Sequence, residues 1–372
     1  MNNHYFRNFS GDRLVKLDRI ISDAKLTHNK TIAVKKRIKL INGGYQGSDK
    51  EYKETVLAYW KKYGLKPDKA FFSLYCDGKG EYDPRYITDP IWMSYILPYF
   101  NDLTMHRAYD DKGMYHRLFP NATHPETVIK RMGGYYYNGD GEQIITREDA
   151  LKICLNESRL IFKPALDSSK GMGIFFYDRE INNEQNLIEI IDQMGLNFVA
   201  QRLVRQHPYL VALNETSLNT VRVITFHFKD KVHVLSAQLR IGGADAKVDN
   251  VSAGGSAVAI KPDGFLYEKS VTRQSKWTYE TAKGVKFSEI QVPSFKEIVE
   301  TSKQLHCLLP HLNIIGWDFA VNENGTPVLI EFNVRPEQNQ IGCGAPTFGD
   351  MTDEVLEEVF IKKSLKAKRK IS

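Results

Sequence analysis

Two carboxylates and one amide near the C-terminal end of the sequence could together hold a hard divalent cation. They lie in IIGWDFAVNENGTPVLIEFNV, two apolar runs separated by a turn signal. Asn324-Gly325 favours a two-residue type I′ turn, which pairs Glu323 with Thr326 and, counting outward, sets Asp318 opposite Glu331. Side chains alternate along a strand, so Asn333 shares the face of Glu331, while Trp317, Phe319, Ile330 and Phe332 point the other way. Facing carboxylates repel, and Mg²⁺, which prefers oxygen ligands, would relieve that repulsion. A pair of carboxylates on a water-screened face fits the same pattern, and the hairpin alone does not choose between them.

A second group, RLIFKPALDSSKGMGIFF, places Lys163 on a strand before a short loop of hydroxyls and glycines. Ser168, Ser169, Gly171 and Gly173 can bring backbone N–H groups against phosphate oxygens, with Lys163 as a point charge. No GxxxxGK[ST] occurs, so this is not a P-loop. An ordinary tight hairpin with a solvated lysine is the alternative. Arg222 and Arg240 form the third group. They have matching parity across the KDK turn, with Arg240 opposite Thr220 and diagonal to Arg222. Two like charges on one sheet face suit a bound anion, unless nearby acids partner them.

The elements that must position these residues follow from periodicity. From about Thr123, strands alternate with helices: RLIFKPA and MGIFFYD as strands, NNEQNLIEIIDQMG as an amphipathic helix, and NFVAQRLV as the next strand. Hairpins TVRVITFHF–KDK–VHVLSAQLR and SAVAI–KPDG–FLYEKSV come next, then the helix FKEIVETSKQLHCLL and the final hairpin. Antiparallel strands with interspersed helices predict an α+β chain. The first 105 or so residues read as mostly helical, LVKLDRIISDAKL and ETVLAYWKKYGL carrying apolar residues at helical spacing.

Composition narrows the setting. The 372 residues are 42% hydrophobic and 26% charged, ordinary globular material with a net charge of +6. No run approaches the ~18 apolar residues of a membrane helix, and the N-terminal residues lack the apolar stretch of a secretory signal. Cys76, Cys154, Cys307 and Cys343 are far apart and form no CxxC pair, which suits a reducing, cytoplasmic setting. Basic residues are spread out without an aromatic RNA-binding signature, which disfavours nucleic acid. The terminal IKKSLKAKRKIS reads as a solvated end, with peripheral contact to an anionic membrane surface or polyanionic substrate as the alternative.

Taken in order, the pieces resemble the ATP-grasp superfamily: Lys163-Pro164, the DSSKGMG loop, the hinge strand VAQRLV, the strand arginines of NTVRV and QLR, and GWDF…LIEFNVRP. SLNTVRVITF, KVDNVSAGGSAV, IEFNVRPEQNQ and DDKGMYHRLFP are similar to the sugar-transfer-associated branch, and the likeness covers roughly residues 50 to 350. Each phrase alone is weak; the ordered set is specific. The resemblance implies the ATP-grasp fold, two α+β subdomains clasping ATP: a lid at 106–204 and a C-terminal subdomain with the metal hairpin at 205–372, behind a helical region at 1–105. The family commonly begins with a Rossmann-like substrate domain, which the helical N-terminal region does not resemble.

Residue by residue, the resemblance implies that Lys112 and Lys163 contact ATP phosphates and that the loop from Ser168 to Gly173 closes over them. Gln201 and the backbone of Arg202 and Leu203 would meet adenine, with His207 near the ribose. Asp318, Glu331 and Asn333 would hold Mg²⁺, Arg222 and Arg240 would stabilise the moving phosphoryl group, and Asn250 and Arg335 would lie near substrate. The expected reaction joins a small-molecule carboxylate to an amine through an acyl phosphate. Its setting would be cell-envelope polysaccharide or sugar-conjugate synthesis, for instance an amino acid joined to a sugar acid. A kinase for a sugar or polyol hydroxyl, or a non-catalytic nucleotide-binding partner of a sugar-polymer assembly system, are the alternatives.

Overall fold

A computed structural model describes residues 25–36, 38, 47–75, 81–166, 172–243, 255–272, 277–281 and 283–362. The chain divides into two compact units, one of Met1–Tyr99 with Gly344–Ser372 and one of Phe100–Cys343. Ser168, Ser169, Gly171, Asn250 and the basic run after residue 362 lie outside the described residues.

The first unit is helical, with no strand among its described residues. Helical segments at 25–36, 49–61, Lys69–Tyr75 and 89–99 carry the aromatic residues that the sequence concentrates here. Trp60, Phe71, Phe72 and Trp92 are buried, and Tyr63 packs against Phe360 and Trp92 against Phe348. Lys62 pairs with Asp353 at 2.6 Å.

The second unit contains two antiparallel sheets. The six-stranded sheet has the order β3-β2-β1-β6-β4-β5. Its strands are β1 Thr127–Met132, β2 Tyr135–Asn138, β3 Ile144–Ile145, β4 Arg159–Pro164, β5 Phe175–Asp178 and β6 Phe198–Arg202. Helices α1 (Arg147–Leu155) and α2 (Glu184–Gln193) cover one face, where Ala150, Leu187 and Ile191 meet Ile129, Leu160, Phe162 and Phe198. Each helix starts at a side-chain cap: Thr146 accepts from the Asp149 amide, and Asn183 forms a capping box with Asn186.

The seven-stranded sheet has the order β11-β10-β9-β8-β7-β12-β13. It comprises β7 Thr220–Phe228, β8 Lys231–Ile241, β9 Ser256–Ala259, β10 Ser270–Thr272, β11 Trp277–Thr278, β12 Ile314–Val321 and β13 Pro327–Asn333. Helix α3 (Phe295–His306) packs on it through Ile298 and Leu305. Val221, Val223, Leu239, Trp317, Phe319 and Phe332 fill that core. Burying such side chains stabilises by about 1.5–3 kcal/mol each, which fixes the other face of β7 and β12 as a rigid platform.

The β12–β13 hairpin differs from its predicted form. Asn324 does not adopt the positive φ that a type I′ turn requires; Gly325 alone does, at 82°. The loop is three residues long: the Asn322 amide donates to Thr326 O, and the Asn322 side chain accepts from the amides of Asn324 and Thr326. Val321 therefore pairs with Pro327 and Phe319 with Leu329, one residue out of the predicted register. A bulge at Ile330 then restores it, so Asp318 does face Glu331. Leu329, not Ile330, takes the core position, fully buried.

Candidate functional site

Asp318 is fully buried in the middle of the seven-stranded sheet, and its neighbours are cations. Arg222 sits beside it on β7 and forms a two-pronged bond, Nε to Oδ1 at 2.7 Å and Nη2 to Oδ2 at 2.5 Å. Arg240, opposite Thr220 on β8, donates to the Thr220 hydroxyl at 3.0 and 2.9 Å and reaches Asp318 Oδ2 at 3.2 Å. The Asn333 amide nitrogen lies 3.4 Å from the same oxygen. Strand alternation places these groups together: Val221 and Val223 face the core, so Thr220 and Arg222 face away from it. The arginine pair and the carboxylate pair, read separately in the sequence, are one cluster. Arg222 and Arg240 are partnered by Asp318.

Burial alone would raise the Asp318 carboxyl, but Arg222 and Arg240 hold it below the usual aspartate range. Glu331 goes the other way, pushed up by burial and then by the charge of Asp318, against the pull of Lys112. The Lys112 ammonium lies 3.7 Å from Glu331 Oε2. Two carboxylates and an amide oxygen are a donor set that Mg²⁺ accepts, since that ion keeps several waters and uses few protein ligands. Among the described residues no group of three or more His, Cys, Asp or Glu is placed to hold a metal ion. The donor chemistry of the Asp318 group is compatible with such a cation.

The face of the six-stranded sheet opposite its two helices carries two lysines. Lys163 and Lys130 flank Val199 in one row across β4, β6 and β1, with Gln201 one position along the same face. Gln201 donates to the Thr127 hydroxyl at 3.2 Å. Lys130 is buried, with its ammonium 3.0 Å from His116 Nδ1. Burial, aided by Arg117, pushes its pKa down to about 8. The attraction of Asp140 and Asp111 only partly offsets that burial. Sequence reading passed over Lys130; a lysine that follows the apolar Val128–Ile129 pair within a strand was the signal. Gly173 closes the loop after β4 at φ 73°, where an added Cβ would meet Pro164 at 3.0 Å.

The turn Lys112–Met114 joins these two groups. Its first backbone amide donates to Ala165 O at 3.0 Å, two residues beyond Lys163, while the Lys112 side chain reaches Glu331. The side chains of other expected residues have other partners or are exposed. The exposed Arg202 side chain pairs with Glu126 and Glu157, and Leu203 is exposed. His207 caps the short helix Pro208–Val211 through its Nδ1. It borders a cleft of about 720 Å³ with Tyr209, Phe265 and Ser294, none of them part of the charged cluster. Arg335 is exposed just beyond β13.

The sequence matches the sugar-transfer associated ATP-grasp family over residues 93–346. The chain belongs to that family. Its antiparallel sheets with flanking helices are the α+β ATP-grasp fold. Similar solved structures include an L-amino acid ligase from Bacillus licheniformis, 13% identical, covering 68% of this chain and 48% of that one with a TM-score of 0.39. The VanG D-Ala:D-Ser ligase from Enterococcus faecalis is 17% identical, covering 68% and 62% with a TM-score of 0.40. D-alanyl-alanine synthetase A from Vibrio cholerae is 13% identical, covering 71% and 65% with a TM-score of 0.39. The chain thus spans between about half and two thirds of the length of these structures. No curated protein sequence matches it. Among the described residues no helix is long and apolar enough to cross a membrane.

Proposed function

We propose that this ATP-grasp protein is a Mg-ATP-dependent ligase that joins a carboxylate to an amine through an acyl phosphate, in the synthesis of a cell-envelope polysaccharide or sugar conjugate. One observation carries the reading. The backbone amide of Lys112 is bonded to Ala165 O, two residues beyond Lys163, while its ammonium lies 3.7 Å from Glu331, which supports a site shared by the lysine-lined sheet face and the carboxylate–arginine cluster.

In this reading Lys130 and Lys163 hold the nucleotide's phosphates, and Gln201 with the backbone of Arg202 and Leu203 meets adenine. The loop from Ser168 to Gly173 closes over the phosphates, while Asn250 and Arg335 serve the substrate. Asp318, Glu331 and Asn333 would hold Mg²⁺, which when bound neutralises phosphate charge and polarises the phosphoryl oxygens. Arg222 and Arg240, fixed by Asp318 and Thr220, stand ready where charge develops on the transferring phosphoryl group. A substrate carboxylate oxygen attacks the γ-phosphorus and the bond to ADP breaks. An amine then attacks the acyl carbon and phosphate departs, leaving an amide. Positioning and charge neutralisation carry the first step, so no side-chain base is required for it.

The test is ADP release from Mg-ATP across pairs of amino acids and uronic acids, with hydroxylamine present to trap an acyl phosphate. A hydroxamate is the expected product. A phosphorylated sugar or polyol without hydroxamate would replace the ligase with a kinase, and no ADP with any pair would remove the enzymatic reading.

A further inference from the structure

The cleft of about 720 Å³ beside His207 shares no residue with the charged cluster. Its volume falls within the roughly 300–1,000 Å³ of small-molecule sites. Ser294 and Phe295, at the start of α3, help to line it. That helix packs on the core face of the seven-stranded sheet, opposite the face that carries Asp318. Single exposed aromatic residues are ordinary on a protein surface. Here two of them, Tyr209 at 40% and Phe265 at 36% exposure, line one concavity and form an apolar surface that a ligand can cover.

Both rings are held before any ligand arrives, which lowers the ordering cost of binding. Phe265 is paired with Gln291 in a short ladder, where the Leu266 amide donates to Ile290 O and the Val292 amide to Gly264 O, each at 2.9 Å. The Tyr209 hydroxyl donates to Glu289 O at 3.3 Å and its amide to His207 Nδ1 at 3.2 Å. The neutral imidazole of His207 therefore carries its proton on Nε2, as a donor. Gln291 Nε2 donates to Asp263 O at 3.2 Å, which leaves the side-chain oxygen of Gln291 as an acceptor. Charges in the lining nearly cancel: Asp263 and Glu289 stand against Lys296, and Lys286 lies 3.9 Å from Glu289. A polyphosphate would meet two carboxylates there, and a cation would meet Lys296.

The ligand class that matches this lining is neutral, carries hydroxyls that both donate and accept, and has an apolar C–H face to lie on an aromatic ring. A pyranose has all three properties. We propose that the cleft is a binding site for a neutral carbohydrate, whose sugar rings lie on Tyr209 and Phe265 and whose hydroxyls bond to His207, Gln291 and Lys296. Tyr267 shares the outward face of Phe265 across the buried Leu266, about 7 Å along the chain. It extends the surface toward a longer sugar chain, but Lys261 already lies 5.7 Å from its ring centroid, so the two rings in the cleft carry the site. The proposal goes beyond the ligase reading and does not depend on it, since neither ATP nor metal takes part.

The experiment measures binding of maltohexaose, cellohexaose and chitohexaose to the full chain by saturation-transfer difference NMR and calorimetry, with and without Mg-ATP. At least one of these sugars binds under both conditions. Tyr209→Ala and Phe265→Ala each weaken it by about tenfold, whereas Tyr209→Phe and Phe265→Tyr, which keep the rings, retain most of the affinity. Both alanine variants melt near the wild-type temperature, because the rings they remove are exposed. No binding of any of the three sugars at millimolar concentration overturns the proposal, and so does binding that survives the double alanine variant. Uridine or tetramethylammonium bound in preference to the sugars would assign the rings to a nucleoside or a cation, which also overturns it. Sedimentation velocity examines one further occupant: self-association without sugar binding, lost in the double variant, would make the cleft an interface between copies of this chain and end the carbohydrate assignment.

Discussion

Behind the charged face, a neutral histidine holds the strand that carries Asp318, and acid should loosen it. Trp317 Nε1 donates to the Thr225 hydroxyl at 2.8 Å, which lies 2.6 Å from His306 Nδ1, and His306 Nε2 donates to Leu312 O at 3.0 Å. The carbonyl fixes the tautomer: the proton sits on Nε2, and Nδ1 accepts from Thr225. Burial, reinforced by the ring of His227, pushes the pKa of His306 from 6.5 down to about 4. Above pH 6.5 the ring is neutral whether the chain is folded or not. Between 6.5 and 4 the unfolded chain takes up a proton that the folded chain refuses, so folding stability falls as pH falls. At about 1.4 kcal/mol per pH unit, this group removes about 2 kcal/mol by pH 5 and about 3 kcal/mol by pH 4. Urea unfolding followed by tryptophan fluorescence at pH 7.5, 6 and 5 measures it in wild type and His306→Asn. The variant keeps an acceptor for Thr225 but loses the bond to Leu312, so at pH 7.5 it is less stable by about 1–3 kcal/mol. Its stability should change less with pH, so that the two curves converge by about 2 kcal/mol at pH 5. Parallel curves would refute the assignment, whatever their offset.

Three further outcomes follow from the charged face. Lys130→Met should raise stability at pH 7 by about 1–3 kcal/mol, since the buried ammonium is relieved, while weakening ATP binding about tenfold or more in calorimetry; a less stable variant with normal affinity would contradict both halves. Asp318→Asn should destabilise by about 3–5 kcal/mol because two arginines lose their partner. Glu331→Gln, by contrast, should melt at or above the wild-type temperature and lose turnover; equal effects from the two amides would show that the arginines do not discriminate between them. Lys163→Ala should keep its fold by circular dichroism and lose nucleotide affinity, and wild-type affinity would remove Lys163 from the site.

The sequence made the elements legible wherever periodicity was strong. The β7–β8 hairpin has Arg240 opposite Thr220 as expected, but its turn is one residue shorter than KDK, with Phe228 opposite Lys231, and a bulge at Leu235 restores the counted register. Facing carboxylates on β12 and β13 were also legible, although through two errors that cancel: a turn one residue too short and an unseen bulge. Bulges leave no periodic trace, because one residue simply drops out of the alternation. Electrostatic partnership was less legible. Counting parity shows which residues share a face within one hairpin, but Arg222 and Asp318 are 96 positions apart and meet only because β7 pairs with β12. For the same reason the facing carboxylates were expected to repel, whereas Asp318 is more than neutralised. Lys130 escaped notice because a lysine in a strand reads as solvated until three strands in register bury it.

The bulge at Ile330 also bears on how the hairpin tolerates insertion. Two closures of this segment set Asp318 opposite Glu331: two turn residues and no bulge, or three turn residues with a bulge. The chain adopts the second. The slack between Asn322 and Ile330 thus lies outside the part of the ladder, Gly316 to Asp318 against Glu331 to Asn333, that carries the charged groups. That inner part is held by β7 on its other edge and by Trp317 and Phe332 beneath. A change of length at the tip is absorbed before it reaches the carboxylates. The exposed tip of the turn, Glu323 and Asn324, is therefore a place where a peptide tag or a reporter could be spliced into this chain while the site keeps its register, at the cost of the bonds from the Glu323 amide to Arg205 O and from Ser294 to Gly325 O.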